Sequence, residues 1–329
     1  MPTKRSIKIL ITGCAGFIGF HLSKKLLENK KYKVFGIDNI NNYYDVKLKK
    51  DRINILKKKK NFKFEKIDIT KEKKLNFSFK KNQYTIVINL AAQAGVLYSV
   101  KNPGTYFKNN IEGFYNILIL SKKYKIKHLI FASTSSVYGP SNRFPLKETD
   151  NTDKPLSFYA ATKKSNEVMA HSFSNIYKLA CTGLRFFSVY GPMGRPDMAL
   201  FKFTKAIINK KYINLNNNGK HVRDFTYIED IVAGIIKIIN KPPKNNIPFN
   251  IFNIGNSKPT SLKEFLAEIE KNLKAKAKVK YRDIQLGDIY KTHASVQKLK
   301  NKTGYTASTD TKTGIKKFID WYKVYFFEN

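Results

Sequence analysis

The sequence predicts an α/β protein built on a doubly wound parallel sheet, and three observations carry that prediction. Short apolar runs alternate with amphipathic stretches through the first half of the chain. Strands buried on both faces and separated by helices form parallel sheets. The first apolar run leads directly into three spaced glycines and a helical pattern, in "ILITGCAGFIG". Finally, 329 residues that are 42% hydrophobic and 26% charged are enough for a sizeable core and exclude a disordered chain.

The elements follow in order. "IKILIT" (7–12), "YKVFGID" (32–38), "FKFEKID" (62–68), "YTIVINLA" (84–91) and "KHLIFAS" (127–133) read as strands. Helical spacing predicts helices at about 17–30, 46–58, 71–80 and 105–124. A long helix (158–178) and a further strand, "CTGLRFF" (181–187), come next. Smaller elements follow, with Pro- and Asn-rich breaks at 214–219 and 240–250. The segment 311–327 reads as an amphipathic helix carrying the only tryptophan, Trp321, which is expected to pack onto the body. No repeat and no low-complexity tail is visible.

The net charge of +38 suggests a phosphate-backbone binder, but its distribution does not. Lysines are spread over nearly every helix and loop, together with many Asn and Ile, which is the pattern of a compositional drift. The one dense run, Lys57 to Lys60, falls at a predicted helix end, where cations favour the dipole. A nucleic-acid partner is therefore not expected. Cys14 and Cys181 have no metal-ligand spacing and suggest no disulfide framework, so no metal and a reducing compartment are expected. "MPTKRS" followed by an apolar stretch mimics a signal peptide, but Lys8 and the glycines interrupt it. No other apolar run approaches the ~18 residues of a membrane span. The expectation is a cytoplasmic protein.

Gly13, Gly16 and Gly19 lie directly after the first strand and open a helix. Glycines there permit a tight turn and close backbone approach, so that the helix N-terminus faces a pyrophosphate. Asp38 ends the second strand about twenty residues on, where a carboxylate can accept both ribose hydroxyls and repel a 2′-phosphate. This arrangement points to a Rossmann-type sheet that binds NAD. Phe17, Ile18 and Asn39 flank these positions. Asp68 either borders the adenine, with Ile69, or caps the helix at 71–80. In "LAAQAG" (90–95), Leu90, Ala91 and Ala92 provide small residues where a cofactor lies across the strand ends.

"SFYAATKKSNE" contains Tyr159 and Lys163, whose spacing of four places both on one helix face. A tyrosine is a poor base at neutral pH. A lysine ammonium and a nicotinamide cation nearby would favour the phenolate, which could then take a proton from a sugar hydroxyl. In "ASTSSVYG", at the end of the fifth strand, Thr134 is positioned to hydrogen-bond the reacting oxygen.

Together, the glycine loop, "IDN", "LAAQAGV", "SSVYG", "YAATKKSNE", "LRFFSVYGP", "RDFTYIEDIV", "FNIGN" and "GD" resemble the extended short-chain dehydrogenase/reductases, specifically the nucleotide-sugar epimerases, almost end to end. "VYGPMGRPDMALFKFTKAI" and "IDNINNYYDVKLK" are most similar to UDP-glucuronate 4-epimerases. The resemblance implies an isomerase with a Thr134–Tyr159–Lys163 catalytic set, supported by Asn109. It also implies a UDP-sugar site in a smaller C-terminal α/β domain, with Arg223 on the diphosphate and Gln285 and Asp288 on the nucleoside side. The corresponding division is 1–184 plus about 224–257 for NAD, and about 185–223 plus 258–329 for the nucleotide sugar. Relatives form homodimers through two long helices, here 105–124 and 158–178.

Activities in this group share an oxidation at C4 and diverge afterwards. Dehydratases carry Asp-Glu after the catalytic Thr, and decarboxylases a Glu in the second position; here Ser135 and Ser136 are neutral. That argues against elimination and, less strongly, against decarboxylation. A 4-keto uronate has its carboxylate β to the ketone and loses carbon dioxide easily when that bond aligns with the carbonyl π-system. An arginine suits the task of holding the carboxylate. The resemblance assigns that role to Arg195, in "FFSVYGPMGRPDMALF", with Ser135, Ser136 and Ser188 as hydroxyl partners. Position 188 is more often Thr in relatives, and Leu97 stands where they often carry Arg, which puts substrate charge preference in question. The expected function is a UDP-glucuronate 4-epimerase. The alternatives are a 4-epimerase of neutral UDP-sugars, a UDP-glucuronate decarboxylase, or a non-catalytic NAD-sensing or nucleic-acid-binding protein on the same scaffold.

Overall fold

In the structure, a computed structural model that describes residues 6–328, successive residues of each central strand enter two different cores. The basic stretch MPTKR lies outside the described residues. On β1 (Ile7–Thr12), Ile9 and Ile11 join one apolar cluster and Leu10 the other, all three with no exposure. Such alternation arises only where helices cover both faces of a sheet. β2 (Tyr32–Asp38), β3 (Phe62–Lys66), β4 (Ile86–Asn89), β5 (His128–Thr134), β6 (Cys181–Phe186) and β7 (Phe249–Ile254) complete a seven-stranded parallel sheet. Its order is β7–β6–β5–β4–β1–β2–β3. The order reverses between β1 and β4, and at such a switch point a crevice opens beyond the strand C-termini. The predicted doubly wound fold is thus observed.

Helices α1 (Phe17–Leu26), α2 (Val46–Lys57), α3 (Glu72–Asn82), α4 (Gly113–Lys123) and α5 (Phe158–Tyr177) flank the sheet. α6 (Ala199–Ile208), α7 (Ile228–Ile239), α8 (Leu262–Leu273) and α9 (Thr311–Phe327) follow, α7 docking on α1. Beyond β6, a short parallel pair (188–190 with 225–227) and small two-stranded ribbons build the second lobe. There the Phe225 and Phe265 rings stack at 3.9 Å, and Phe201 meets Phe318, Trp321 and Tyr322 of α9. Trp321 therefore packs as expected.

Some boundaries differ from the sequence reading. The helix expected at 105–124 is present over 103–123, with a π-helical stretch at Phe107–Glu112 leading into α4. Pro103 stands at its first turn, where no N–H is needed, and the non-helical Asn102 separates it from a short helix at 96–101 that the sequence reading did not foresee. α1 stops at Leu26 rather than 30, β3 ends at Lys66 rather than 68, and β4 spans only 86–89.

Asp224, with no exposure, joins three segments of the chain. Its carboxylate accepts from the amides of Asn256 (2.7 Å), Ser257 (3.0 Å) and Ala294 (2.9 Å), and from the Thr226 hydroxyl (3.2 Å). Replacing one oxygen with an NH2 would set a donor against buried donors. Asp224→Asn is expected to lower unfolding free energy by about 3 kcal/mol or more. Urea unfolding checks this, and a loss below about 1 kcal/mol would be too small for a buried hub.

Candidate active site

A cavity of about 710 Å³ opens at the switch point and adjoins a second of about 290 Å³. At its base, β1 and β4 are clasped by the Thr12 hydroxyl, which donates to Asn89 Oδ1 (2.6 Å) and accepts from the Ala91 amide (3.2 Å). Gly13 turns the chain at φ 71°, and a Cβ there would meet Ala91 N at 2.7 Å. α1 then begins after Gly16 with no capping side chain, and Phe17, Ile18 and Gly19 line the cavity at that helix end. Asp38 closes the far side, accepting from the amides of Ala15 (3.1 Å) and Ile40 (2.8 Å). Burial raises its pKa, and those bonds and the Lys49 charge oppose the rise. Asp68 does not cap α3, which starts after Lys71. It accepts from Thr70 N (2.9 Å) and Asn39 Nδ2 (2.9 Å) and borders the cavity with Ile69.

Thr134, Ser135 and Ser136 end β5 beneath the same cavity, and Tyr159 and Lys163 face it from α5, which Ser157 caps. Burial raises the Tyr159 pKa, and a hydrogen bond with Thr134 and the Arg195 charge pull it down. Burial lowers Lys163 to about 8, against the opposing field of Glu167.

Arg195 enters from a loop whose three preceding carbonyls are all held by the sheet domain. His21 of α1 donates to Pro192 O (2.9 Å), and Arg52 of α2 donates to Met193 O (2.7 Å) and Gly194 O (3.2 Å). Burial keeps His21 neutral, with its pKa near 4. Met193 sits in the left-handed region at φ 53°, so this loop needs such anchoring. Arg195 itself pairs bidentately with Asp197. Across the cavity, Arg223 Nη2 donates to Asp288 Oδ1 (2.8 Å), whose Oδ2 lies 3.1 Å from His221 Nε2. Ser188 and Leu97 line both cavities, Leu97 being 42% exposed, whereas Gln285 lines only the smaller one, beside Phe225 and Phe265.

Residues 9–255 match the NAD-dependent epimerase/dehydratase family. The chain belongs to that family. It is 48% identical to the Staphylococcus aureus protein CapI, over 97% of this chain and 99% of that one. It is 40% identical to a probable UDP-glucuronate 4-epimerase of Rhizobium meliloti, over 96% and 97% respectively. Among solved structures, UDP-glucuronic acid 4-epimerase from Bacillus cereus, in complex with UDP-glucuronic acid and NAD, superposes with a TM-score of 0.92 at 32% identity, covering 97% of this chain and all of that one.

For a member of the NAD-dependent epimerase/dehydratase family, the observed residues fit the cofactor. The uncapped start of α1 leaves amides facing the cavity, where a diphosphate is favoured. Gly13, Ala91 and Ala92 line the cavity with little or no side chain, and Asp38 and Asn39 stand at the end of β2. Asn109 lines the cavity, its Nδ2 donating to Thr105 O (2.8 Å). Among the described residues, no three His, Cys, Asp or Glu converge as metal ligands, and no helix is long and apolar enough to cross a membrane.

The structure also brings to the site residues that sequence reasoning missed. Asn110, 1% exposed, accepts from Gln93 N (2.8 Å) and donates to Gln93 O (3.1 Å) and Thr162 Oγ1 (3.0 Å), tying the β4 loop to α5 beside Lys163. The π-helical turn brings Asn109 and Asn110 to these different tasks, and no local sequence signal marks such a turn. Glu167, one turn after Lys163, holds Arg185 in a buried bidentate pair (2.8 and 2.7 Å) and accepts from Ser133 (2.6 Å). The spacing of four from Lys163 was available as a signal. Tyr43, Lys49, Arg52 and Asp197 were likewise passed over, although Arg52 is one of only seven arginines.

If the ammonium of Lys163 supports Tyr159, turnover falls as pH rises through about 8, where that charge is lost. Removing the Glu167 carboxylate disfavours the charged form further, so Glu167→Gln moves the fall to lower pH. A kcat-against-pH profile of both proteins checks this, and an unmoved alkaline limb would assign it to another group.

Proposed function

We propose that this protein is a UDP-glucuronate 4-epimerase, an isomerase that interconverts UDP-glucuronate and UDP-galacturonate using NAD. The observation that carries the reading is Arg195, a partly buried guanidinium that shares one cavity with Thr134, Tyr159 and Lys163. The likeness to the Rhizobium and Bacillus cereus proteins supports the same substrate.

When bound, NAD supplies reversible hydride acceptance from a secondary alcohol carbon. Tyr159 takes the O4 proton and returns it in the reverse direction, with Thr134 sharing the hydrogen bond. Lys163 holds positive charge beside it and, with Asn109, Asp38 and the glycine loop, binds the cofactor. Ser135 and Ser136 offer hydroxyls but no carboxylate, so no acid–base pair for elimination stands next to Thr134. Arg223 anchors the diphosphate, and Asp288 and Gln285 flank the nucleoside. Arg195 fixes the sugar carboxylate with Ser188 nearby, which keeps the C5–C6 bond out of line with the ketone π-system. A neutral sugar would give that guanidinium no anionic partner.

The reading also includes a division of labour and a quaternary state. The segments 1–184 plus about 224–257 hold NAD, and 185–223 plus 258–329 the nucleotide sugar; the return of the chain to the main sheet at β7 supports this split. A homodimer through the helices around 105–123 and 158–177 suits the exposed Phe107, Tyr115, Val168 and Ile176 on them. Sedimentation equilibrium at micromolar concentration checks it, and a monomer would count against it. A cytoplasmic location suits the two free thiols, Cys14 and Cys181.

Incubation with UDP-glucuronate, with chromatographic resolution of the sugars, tests the activity. Galacturonate product supports it, whereas turnover of UDP-glucose alone or release of UDP-pentose alone would replace it. Arg195→Ala is expected to retain NAD while kcat/KM for UDP-glucuronate falls about 100-fold, the loss of a charge-assisted pair. Any residual turnover of UDP-glucose should fall far less. Equal losses on both sugars would reduce Arg195 to a loop residue.

A further inference from the structure

Arg195 does not enter the cavity as a free fork. Its Nε donates to Asp197 Oδ1 at 3.0 Å and its Nη2 to Asp197 Oδ2 at 2.5 Å. Asp197 in turn accepts from the Tyr43 hydroxyl at 3.2 Å. Tyr43 lies over Gly95, where a Cβ would meet its hydroxyl at 2.6 Å, and its ring contacts Tyr98 at 5.0 Å between centroids. The side chains of Arg195 and Asp197 are only 21% and 27% exposed. All three residues line the main cavity.

A guanidinium has two edges that can grip a carboxylate bidentately, the Nε/Nη2 side and the Nη1/Nη2 end. Asp197 takes the side edge. The second Nη2 hydrogen and one Nη1 hydrogen lie along the end edge, which Asp197 leaves open. We infer that Asp197, held by Tyr43, is a positioning residue that fixes the rotamer of Arg195 so that its end edge receives the substrate carboxylate in a single orientation. The inference rests on the uronate reading above and deepens it: Arg195 binds the group, and the Tyr43–Asp197 pair sets its angle.

The angle has a chemical consequence. In a 4-keto uronate, rotation of the carboxylate-bearing bond into line with the ketone lets the C5–C6 bond break. Its electron pair passes into the C4–C5 enolate, carbon dioxide leaves, and C5 takes a proton. The net change is UDP-glucuronate plus a proton to UDP-pentose plus carbon dioxide, with no outside oxidant or reductant. A loosened Arg195 therefore shows itself in the product, not only in the rate.

The test uses the full-length NAD-loaded protein, UDP-glucuronate as the probe, and chromatography that separates uronates, UDP-pentose and its 4-keto form. Asp197→Asn, which keeps the shape but loses the charge, is expected to raise the pentose-to-galacturonate ratio by about 10- to 100-fold over the parent, the effect of losing a charge-assisted bond. Tyr43→Phe is expected to shift it in the same direction by less, and it reports independently if Asp197→Asn fails to fold. An unchanged ratio in both variants, while the parent epimerises UDP-glucuronate, overturns the inference and leaves the function standing. A lower KM for UDP-glucuronate with no pentose in Asp197→Asn also overturns it, because Asp197 would then be a competitor of the substrate. If the parent does not turn over UDP-glucuronate at all, the uronate reading itself fails and this inference with it.

Discussion

The guanidinium of Arg52 joins the two halves of the site. It is fully buried on α2 with no carboxylate ion-pair partner among the described residues, and it donates instead to Ala15 O (2.7 Å), the Tyr44 hydroxyl (2.8 Å), Met193 O (2.7 Å) and Gly194 O (3.2 Å). A buried charge is costly unless it is hydrogen-bonded, and oxygens from remote loops take up its Nη1 and Nη2 groups here, although its Nε has no partner. The result is that the glycine loop after β1 and the loop presenting Arg195 share one anchor. His21 adds a second tie, at Pro192. A reaction in which one carbon faces both a cofactor and a proton acceptor is sensitive to errors on the scale of 1 Å, so such bracing is a condition of the chemistry.

A second frame lies behind α5. Glu167 pairs with Arg185 and Ser133, while Asn110 links the β4 loop to Thr162 and Asn166 donates to Asn110 O at 2.6 Å. These contacts flank Lys163 on the turns before and after it. They fix the helix face that carries Tyr159 and Lys163 relative to β5 and Thr134. Glu167 also adds the electrostatic field that keeps the buried Lys163 from losing more of its basicity. Framing and electrostatics are therefore supplied by the same residues.

The charge of the chain and the charge of the site are distinct matters. Of 62 basic residues only seven are arginines, yet Arg52, Arg185, Arg195 and Arg223 all stand in or directly behind the cavity. Each makes a multidentate contact that an ammonium cannot reproduce. The abundant lysines mostly lie on the surface, where single charges contribute little to structure.

Much of this protein was legible without coordinates. The short, continuous apolar runs dictated strands covered on both faces, and the spacing of Gly13, Gly16 and Gly19 against Asp38 marked the dinucleotide crevice. The spacing of Tyr159 and Lys163 and the neutral Ser135 and Ser136 narrowed the chemistry. These are local properties, set by backbone conformation and by helix and strand periodicity, so sequence alone determines them. Only the tertiary structure decided how Arg195 is held, because Tyr43 and Arg52 from around α2 and His21 from α1 come to its loop from two remote parts of the chain, Tyr43 acting on the neighbouring Asp197. It alone also placed a π-helical stretch inside the helix expected at 105–124, where Asn109 and Asn110 take different tasks. Hydrogen-bond satisfaction across distant segments is a property of the folded whole, and no window of neighbouring residues encodes it.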